Sequence, residues 1–362
     1  MSHSEYMAFF KEKTQNFIGI DIGLSGIKLV ELANDGGHAR LVTYAYYDSG
    51  VSNFEILFNE KIDETAKTIK EMLGKSKCTT KNTIAAVPVS SVFSSIISVP
   101  AANDKDLKAA ITWEAKKLIP VPLEEIQLDS RVIDTGGKAD GNKKINRVLL
   151  TGAPKTLVNR YIDLLNRRCG LNLLSLETEA FAQIRSLIGR DRSSVMVIDI
   201  GFQRTNISVV ENGIPFLNRS IALGGDSITQ SISQMLGISY QQAETMKRDI
   251  RSLETFAPSG DLAPILTTLM KPIINEVKYS FSLYQGQGGP GEQRKIDKII
   301  LTGGSALLPR LPEFITQLMN VNAYLGDPWA RVVYPMDLRP ILDEIGSRFA
   351  VSIGCAMRDI TD

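Results

Sequence analysis

Two segments of the chain end an apolar run with the same tripeptide, Asp-Ile-Gly. They are FIGIDIGLSG (17–26) and VMVIDIGFQR (195–204). Glycine permits positive φ and lets backbone N–H groups approach an anion closely. An aspartate beside a phosphate needs an intervening cation, and Mg²⁺ takes one or two carboxylates together with phosphate oxygens. The pattern therefore predicts that Asp21 and Asp199 share one Mg²⁺ at a polyphosphate site.

The Asp-Ile-Gly unit also has an ordinary structural explanation. A single Asp-X-Gly at a hairpin is more often a plain turn than a ligand site. Here, however, two copies stand about half the chain apart, each between two apolar segments typical of strands. The repetition favours a duplicated pair of domains whose hairpins face one ligand.

Three further segments follow in an order that suits a nucleotide. ALGGDSIT (222–229) places a Gly-Gly turn before a helix, and LTGGSALLP (301–309) is a strand that ends in glycines before another helix. AETMK (243–247) puts Glu244 and Lys247 three residues apart on one helical face, a spacing suited to ribose and base contacts. Taken singly, this charged pair is a solvated surface pair and each glycine pair is a turn.

The elements around these motifs are short strands and amphipathic helices. Residues 17–48 predict three strands joined by turns, and 194–223 repeat that plan. A helix is expected at 60–77 and a strand at 83–90, and helical patterns dominate 225–285.

The sequence pattern of residues 91–170 predicts a strand, a helix, two strands and a second helix, in that order. This order indicates a small inserted α/β domain. A polar linker, 135–146, lies in its middle. Strand and helix patterns return at 172–188, and the glycine-rich segment 285–295 predicts a flexible loop.

Composition narrows the function classes. Hydrophobic residues make up 43% of the 362, which is ordinary for a globular protein, and the net charge of +1 gives no reason to expect nucleic acid. Three cysteines without CxxC spacing and two histidines exclude a zinc site. The sequence has neither a signal peptide nor an apolar run of about 18–20 residues. We expect a cytoplasmic protein.

The order of motifs over nearly the whole chain resembles the superfamily of actin-like proteins, sugar kinases and heat-shock ATPases. There, two related halves close on ATP or ADP with Mg²⁺. By this resemblance the first phosphate loop contains Asp21, Gly23, Ser25, Gly26 and Lys28. The second phosphate loop contains Gly201, Gln203, Arg204 and Thr205, with Asp199 near the metal. The residues around the nucleoside are Gly224, Gly225, Asp226, Glu244, Lys247, Gly303, Gly304 and Ser305.

Within this superfamily the inserted domain resembles that of two bacterial families, FtsA and PilM. Four segments are similar to the PilM family of type IV pilus assembly proteins: IGIDIGLSGIKLVEL, WEAKKLIPVPLEEIQLD, ETEAFAQIRSL and ARVVYPMDLRP. FtsA carries a C-terminal amphipathic membrane anchor. We do not expect one here, because the final residues, RDITD, form no basic apolar helix.

The resemblance implies an α/β fold of duplicated actin-like (ribonuclease H-like) domains around an interdomain nucleotide cleft. The expected parts are an N-terminal tail at 1–16, a first domain at 17–90, 171–193 and 345–362, an inserted domain at 91–170, a second domain at 194–224 and 296–344, and a subdomain at 225–295.

By the same resemblance the protein is a scaffold that binds ATP and the cytoplasmic N-terminal segment of the inner-membrane protein PilN. It would thus associate peripherally with the inner membrane and connect PilN to the assembly motor. The peptide groove would lie between the inserted domain and the first half. Its expected lining is Trp113, Leu118, Ile119 and Pro120, for which plain core packing is the alternative. Whether copies of the chain associate is left open.

Hydrolysis also needs a group that orients the attacking water. Glu179 is the candidate, because ETEAFA lies where superfamily members place a glutamate at a helix start. Ala180 replaces the proline that often follows, and Phe202 and Gln203 stand where many relatives have glycine. We therefore expect ATP binding with slow or absent hydrolysis. An FtsA-like or MreB-like filament-forming ATPase is the alternative, and no sugar-kinase motif is found.

Overall fold

The structure is a computed structural model that describes residues 15–48, 61–101, 103–138, 144–249, 263–287 and 294–360. Parts of several predicted segments lie outside these residues. They include the tail 1–16, residues 49–60 of the first domain with the start of the helix 60–77, the linker 135–146, the loop 285–295, the helical stretch 225–285 and the last two residues of the segment 345–362.

Fourteen strands form three sheets within the described residues. The strands are β1 Asn16–Gly23, β2 Gly26–Asp35, β3 His38–Asp48, β4 Asn82–Val87, β5 Phe93–Ala101, β6 Ile126–Lys138, β7 Lys144–Pro154, β8 Asn172–Thr178, β9 Val195–Ile200, β10 Thr205–Glu211, β11 Ile214–Ile221, β12 Lys298–Thr302, β13 Ala323–Leu325 and β14 Val332–Val333. The first sheet has the order β14-β3-β2-β1-β4-β8, the second β11-β10-β9-β12-β13 and the third β5-β7-β6.

The described helices cover the faces of these sheets. They are α1 Ile62–Lys75, α2 Asp104–Leu118, α3 Lys155–Ile162, α4 Glu179–Gln183, α5 Gly225–Leu236, α6 Tyr240–Arg248, α7 Ala263–Gln285, α8 Leu311–Met319, α9 Arg339–Ile345 and α10 Ala350–Ala356. Helices α3 and α4 continue into π-helical turns at Asp163–Arg168 and Ile184–Ile188. None of the helices in the described ranges is long and apolar enough to cross a membrane.

The first and second sheets share one plan. Each begins with three antiparallel strands, β1-β2-β3 and β9-β10-β11, and the first of these also pairs in parallel with a later strand, β4 or β12. The two triplets of strands predicted from the sequence are confirmed. Asp21 lies on β1 opposite Lys28, and Asp199 lies on β9 opposite Asn206, so the two aspartates occupy corresponding places.

The third sheet forms a separate small core with α2. Ile97, Ala115, Ile119, Val148 and Leu150 are buried together there. The predicted strand–helix–strand–strand–helix order of this region is confirmed. The last of these helices, α3, packs instead on the first sheet, because its apolar face joins the core beneath β1. The predicted domain bounds themselves stay a prediction.

Helix α4 lies between the two large sheets. Ala182 packs in the core of the first sheet, whereas Ile184 and Ile188 of the following π-helical turn pack on the second. Helix α10 holds α4 from behind, since a Cβ at Gly354 would overlap the carbonyl oxygen of Ala182. The N-terminal end of α4 is thereby fixed between the Asp-Ile-Gly turns.

Candidate functional site

A cleft of about 810 Å³ lies between the two Asp-Ile-Gly hairpins. That volume is in the range of small-molecule sites. Fifteen of the residues predicted for the nucleotide, its metal or the attacking water line it: Asp21, Gly23, Ser25, Lys28, Glu179, Asp199, Gly201, Gln203, Arg204, Asp226, Glu244, Lys247, Gly303, Gly304 and Ser305. The fold therefore brings motifs from five distant parts of the chain into one cavity.

Four predicted residues, Gly26, Thr205, Gly224 and Gly225, are not part of this lining. Gly26 is the turn glycine between β1 and β2, with φ +150°. Thr205 is buried, and its Oγ1 donates to the carbonyl of Leu223 at 2.8 Å. These two residues shape the hairpins from behind.

The N-terminus of α5 does not offer its first amides to a ligand. The N–H of Gly225 donates to the Gly201 carbonyl at 2.8 Å, and that of Asp226 donates to the Phe202 carbonyl at 2.7 Å. These two amides are therefore occupied within the protein, and the expectation that this helix end meets the nucleotide stays a prediction that rests on its other groups. The role of the two amides is to fasten α5 to the second hairpin.

The two aspartates line the same cleft. Asp21 is buried, with Oδ2 3.5 Å from Lys28 Nζ, and Asp199 Oδ2 accepts a 2.6 Å hydrogen bond from Gln183 Nε2. Burial raises the pKa of Asp199 to about 6. The negative charge of Asp21 adds to this rise, while Gln183 and Lys28 oppose it. The two carboxylates are close enough to repel one another.

Glu179 begins α4 and faces the same cavity. Its Oε2 accepts 3.1 Å hydrogen bonds from the Val89 N–H, in the turn that follows β4 of the first sheet, and from Asn206 Nδ2 on β10 of the second. Burial raises the pKa of Glu179 to about 8. Asp21 and Asp199 add to the rise, and the Val89 N–H opposes it. One carboxyl thus joins both walls of the cleft.

Glu244 and Lys247 form a partly buried network rather than a solvated surface pair, so that alternative is wrong. Lys247 Nζ donates to Glu244 Oε2 at 2.7 Å, to Thr229 Oγ1 at 2.7 Å and to the Gly225 carbonyl at 2.9 Å. Burial lowers the pKa of Lys247, against the effect of Glu244. Burial works to raise the pKa of Glu244, but hydrogen bonds from Lys247 and Thr229 outweigh it and the pKa is lowered. The network fixes α6 against the start of α5.

Gly303 requires its residue type. Its φ is +87°, and a Cβ there would overlap Asp199 Oδ1 and the Ile200 carbonyl. Its N–H donates to the Ser347 carbonyl at 3.0 Å. The turn after β12 therefore closes directly over the second aspartate.

Several lining residues were missed in the sequence: Gln183, Asn206, Tyr240, Ser347 and Arg348. Asn206 Oδ1 and Ser347 Oγ are buried without a hydrogen-bond partner, a state that proteins usually relieve with a ligand or water. Gln183 follows Glu179 by one helical turn, and that spacing was the available signal. Asn206 could have been found from its place opposite Asp199 in the predicted hairpin.

Three of the four residues predicted for a peptide groove are exposed, and the fourth is buried. Trp113, Leu118 and Pro120 are exposed, and Lys117 Nζ lies 3.0 Å from the centre of the Trp113 ring. Ile119 is 5% exposed and belongs to the core of the third sheet. For Ile119, core packing is therefore the interpretation that the structure supports.

Comparison with known proteins gives both a family and a fold. The family described as type IV pilus assembly protein PilM matches residues 19–360. Cell division protein FtsA of Streptococcus pneumoniae serotype 2 (strain D39) is 22% identical over 355 residues, which are 86% of this chain and 75% of that protein.

Two solved structures illustrate the likeness of fold. One is the PilM–PilN type IV pilus biogenesis complex, with a TM-score of 0.78 and 23% identity over 95% of this chain and 98% of the matched chain. The other is MreB 5 of Spiroplasma citri bound to AMPPNP, with a TM-score of 0.52 and 13% identity over 94% and 95% of the two chains. The predicted duplicated actin-like α/β fold is confirmed.

Proposed function

Because the chain belongs to the PilM family of type IV pilus assembly proteins, we propose that it is an ATP-binding scaffold of the pilus inner-membrane complex. In this proposal it binds the cytoplasmic N-terminal segment of PilN and links PilN to the assembly motor. PilN would hold it at the inner face of the membrane.

One observation carries the nucleotide part of the proposal. Asp21 and Asp199 come from corresponding places in two separate sheets, yet both line one cleft with glycine turns on either side. A polyphosphate with its cation suits this arrangement, since the glycine turns let a phosphate approach without a Cβ in the way and the carboxylates face a metal. The MreB structure bound to AMPPNP is a fold neighbour and supports the same ligand class.

The donor set fits Mg²⁺ in the presence of a nucleotide. The described residues contain no group of three or more His, Cys, Asp or Glu side chains that could hold a metal by themselves. Mg²⁺ keeps several waters and needs only one or two carboxylates beside phosphate oxygens. Asp21 and Asp199 would hold it, and the bound ion would neutralise phosphate charge. The unpartnered Asn206 Oδ1 and Ser347 Oγ are further polar atoms that a ligand would satisfy.

We propose that ATP acts here as a conformational ligand with slow or absent turnover. Glu179 is the residue placed to orient a water, but its Oε2 is already bonded to Val89 and Asn206. A glutamate fixed in this way ties the walls of the cleft together. This role supports binding and closure more than rapid hydrolysis.

The partner proposal draws on the family and on the exposed apolar residues of the inserted region. Trp113 and Leu118 are 61% and 41% exposed, and they lie at the end of α2 beside exposed Pro120. A short peptide is held by a few such apolar contacts together with main-chain hydrogen bonds. The PilM–PilN complex is a fold neighbour, and PilN is the partner proposed here.

Calorimetry with ATP and Mg²⁺ tests the cleft. We expect Asp21→Asn and Asp199→Asn to weaken Mg²⁺-dependent ATP binding by roughly tenfold or more. Asp35→Asn is the matched control, because Asp35 is an exposed aspartate at the end of β2. Unchanged affinity in both cleft variants would overturn the site assignment.

Fluorescence anisotropy with a labelled peptide of the PilN cytoplasmic segment tests the partner. Leu118→Ala should weaken binding, whereas Val333→Ala, an exposed apolar residue on β14, should not. A peptide that fails to bind the wild-type protein at all would refute the partner. ATP-dependent sedimentation of the purified protein would favour the filament-forming alternative, for which FtsA and MreB are the models.

A further inference from the structure

A second cavity of about 400 Å³ lies beside the nucleotide cleft. Its lining consists of Val89, Ser90, Val92, Phe93, Ser94, Thr178, Arg204, Asn218 and Ser220. Ser90 and Arg204 line both cavities, whereas the other residues line only the second. The two spaces are therefore neighbours that share part of a wall.

The second cavity lies where all three sheets meet. Ser90 is in the 3₁₀ turn Val89–Ser91 after β4 of the first sheet, and Ser94 is at the start of β5 in the third sheet. Asn218 and Ser220 are on β11, the edge strand of the second sheet. A ligand here would contact the two halves and the inserted region at once.

The charged side chain in the lining of the second cavity is positive. Arg204 is the only charged residue among the nine, and it is exposed. In the described part of the chain it forms no ion pair. The other polar lining residues are neutral, and three serines and a threonine supply hydroxyl groups. Such a lining attracts an anion and contains no carboxylate to repel it.

Two lining residues on β11 carry polar groups with hydrogen-bonding capacity that the protein does not use. Ser220 Oγ is buried without a hydrogen-bond partner, an arrangement that proteins rarely leave unfilled. Asn218 Oδ1 accepts from Ser208 Oγ at 2.8 Å, which leaves the Asn218 amide group to donate elsewhere. The orphan hydroxyl is an observation independent of the cavity and of Arg204.

We propose that this second cavity binds a phosphate-class oxyanion between Arg204 and the hydroxyl of Ser220. Arg204, in the turn between β9 and β10, supplies the positive charge. Ser220 and the Asn218 amide supply neutral donors from β11. The same anion, bound at the meeting point of the sheets, would connect the state of the cleft with the position of the inserted region. Free phosphate and the terminal phosphoryl group of a nucleotide in the cleft share this chemistry.

Calorimetric titration of inorganic phosphate into the nucleotide-free protein, in phosphate-free and sulfate-free buffer, tests the site. We expect saturable binding that Ser220→Ala weakens by about tenfold, the effect typical of one hydrogen bond to a charged group. Ser91→Ala is the matched control, because Ser91 lines only the nucleotide cleft. Equal melting temperatures of the variants show that both remain folded.

The proposal is overturned if the wild-type protein shows no saturable binding, or if Ser220→Ala binds phosphate as the wild type does. It is also overturned if Ser91→Ala is weakened as much as Ser220→Ala, since phosphate would then occupy the cleft. Phosphate binding without ATP binding would refute the proposed nucleotide function and leave this site standing.

Titrations repeated with saturating Mg-ADP or Mg-AMPPNP distinguish the two sources of the anion. Free phosphate as the occupant should bind in the presence of either nucleotide. A terminal phosphoryl group as the occupant should block phosphate with AMPPNP but not with ADP, and Ser220→Ala should then weaken AMPPNP alone. Displacement of phosphate by ADP itself would place the anion in the cleft and overturn the proposal.

Discussion

At the scale of single residues, the cleft is a place where carboxyl groups are held close together. Asp21 and Asp199 both raise the pKa of Glu179, and Asp21 also raises that of Asp199. In the protein without metal this crowding opposes folding whenever the groups are ionised. A divalent cation between the aspartates would relieve this repulsion. The same cluster of carboxyl groups that suits a metal ion therefore destabilises the metal-free protein.

Glu179→Gln should stabilise the metal-free protein at alkaline pH. The folded-state pKa of Glu179 is raised from 4.5 to about 8, so the folded state holds a proton that the unfolded chain has lost. Stability associated with this group is therefore present below about pH 4.5 and is lost as the pH rises through 8. We expect the variant to melt at least about 2 °C above the wild type at pH 8.5, the shift that about 1 kcal/mol gives in a large domain.

The measurement is a thermal melt in EDTA without nucleotide, at pH 5.5 and 8.5. Glu313→Gln on α8 is the control, because Glu313 is exposed and its substitution should leave the melting temperature unchanged. A gain that is equal at the two pH values would contradict the assigned cause.

Gly303→Ala should destabilise the protein more than the same change at Gly37. Both glycines have positive φ, +87° and +86°, so each variant bears backbone strain of about 1–3 kcal/mol, and the ψ of 165° at Gly303 lies in a region that is essentially restricted to glycine. Only at Gly303 would the new Cβ overlap Asp199 and Ile200, whereas Gly37 has open space around it. Urea denaturation measures the difference, and ATP affinity should fall at Gly303 alone. Equal losses of stability would show that the turn after β12 can move away from Asp199.

At the scale of elements, α4 connects the chemistry to the fold. Its first residue, Glu179, bonds both walls of the cleft, and Gln183, one turn later, holds Asp199. Behind them the same element packs on both large sheets. A displacement of α4 would move Glu179 and Gln183 at the same time. We therefore expect the helices that pack against α4 to influence ligand affinity.

Gly354→Ala should therefore lower both stability and ATP affinity. In α10 the added Cβ would overlap the Ala182 carbonyl and push the helix away from α4. Gly74→Ala in α1 is the matched control, because it is also a helical glycine and has nothing within 4 Å. The control should gain about 0.5–1 kcal/mol from helix propensity. Chemical denaturation and calorimetry provide the two readouts, and a Gly354→Ala variant as stable as the control would refute the proposed contact.

The elements also show what the sequence could predict. Alternation and glycine turns located the paired strand triplets and both aspartates, because these signals are local. Gln183 and Asn206 were missed, since their roles depend on contacts across the cleft. Ile119 was expected in a groove but lies in a core. The sequence could not distinguish the two, because an apolar residue at a helix end is typical of both places. The packing of α3 on the first sheet is likewise set by tertiary contacts.

At the scale of the whole molecule, two sheets of one plan meet over a cavity that neither could form alone. A ligand that contacts both hairpins shifts the molecule toward closure only by its stronger affinity for the closed state. The same ligand must stabilise the fold, by about 2.7 kcal/mol at one hundred times its Kd. Closure and stabilisation should thus appear together and depend on the same aspartates.

Saturating Mg-AMPPNP should therefore decrease the radius of gyration of the wild-type protein in small-angle X-ray scattering and raise its melting temperature. Asp199→Asn should show neither change at the same nucleotide concentration, because it removes one of the two carboxylates that face the shared cation. Asp35→Asn, on the surface, should behave as the wild type does. If AMPPNP binds by calorimetry and raises the melting temperature while the radius of gyration stays constant, the two sheets do not move, and ATP is a structural ligand rather than a conformational one.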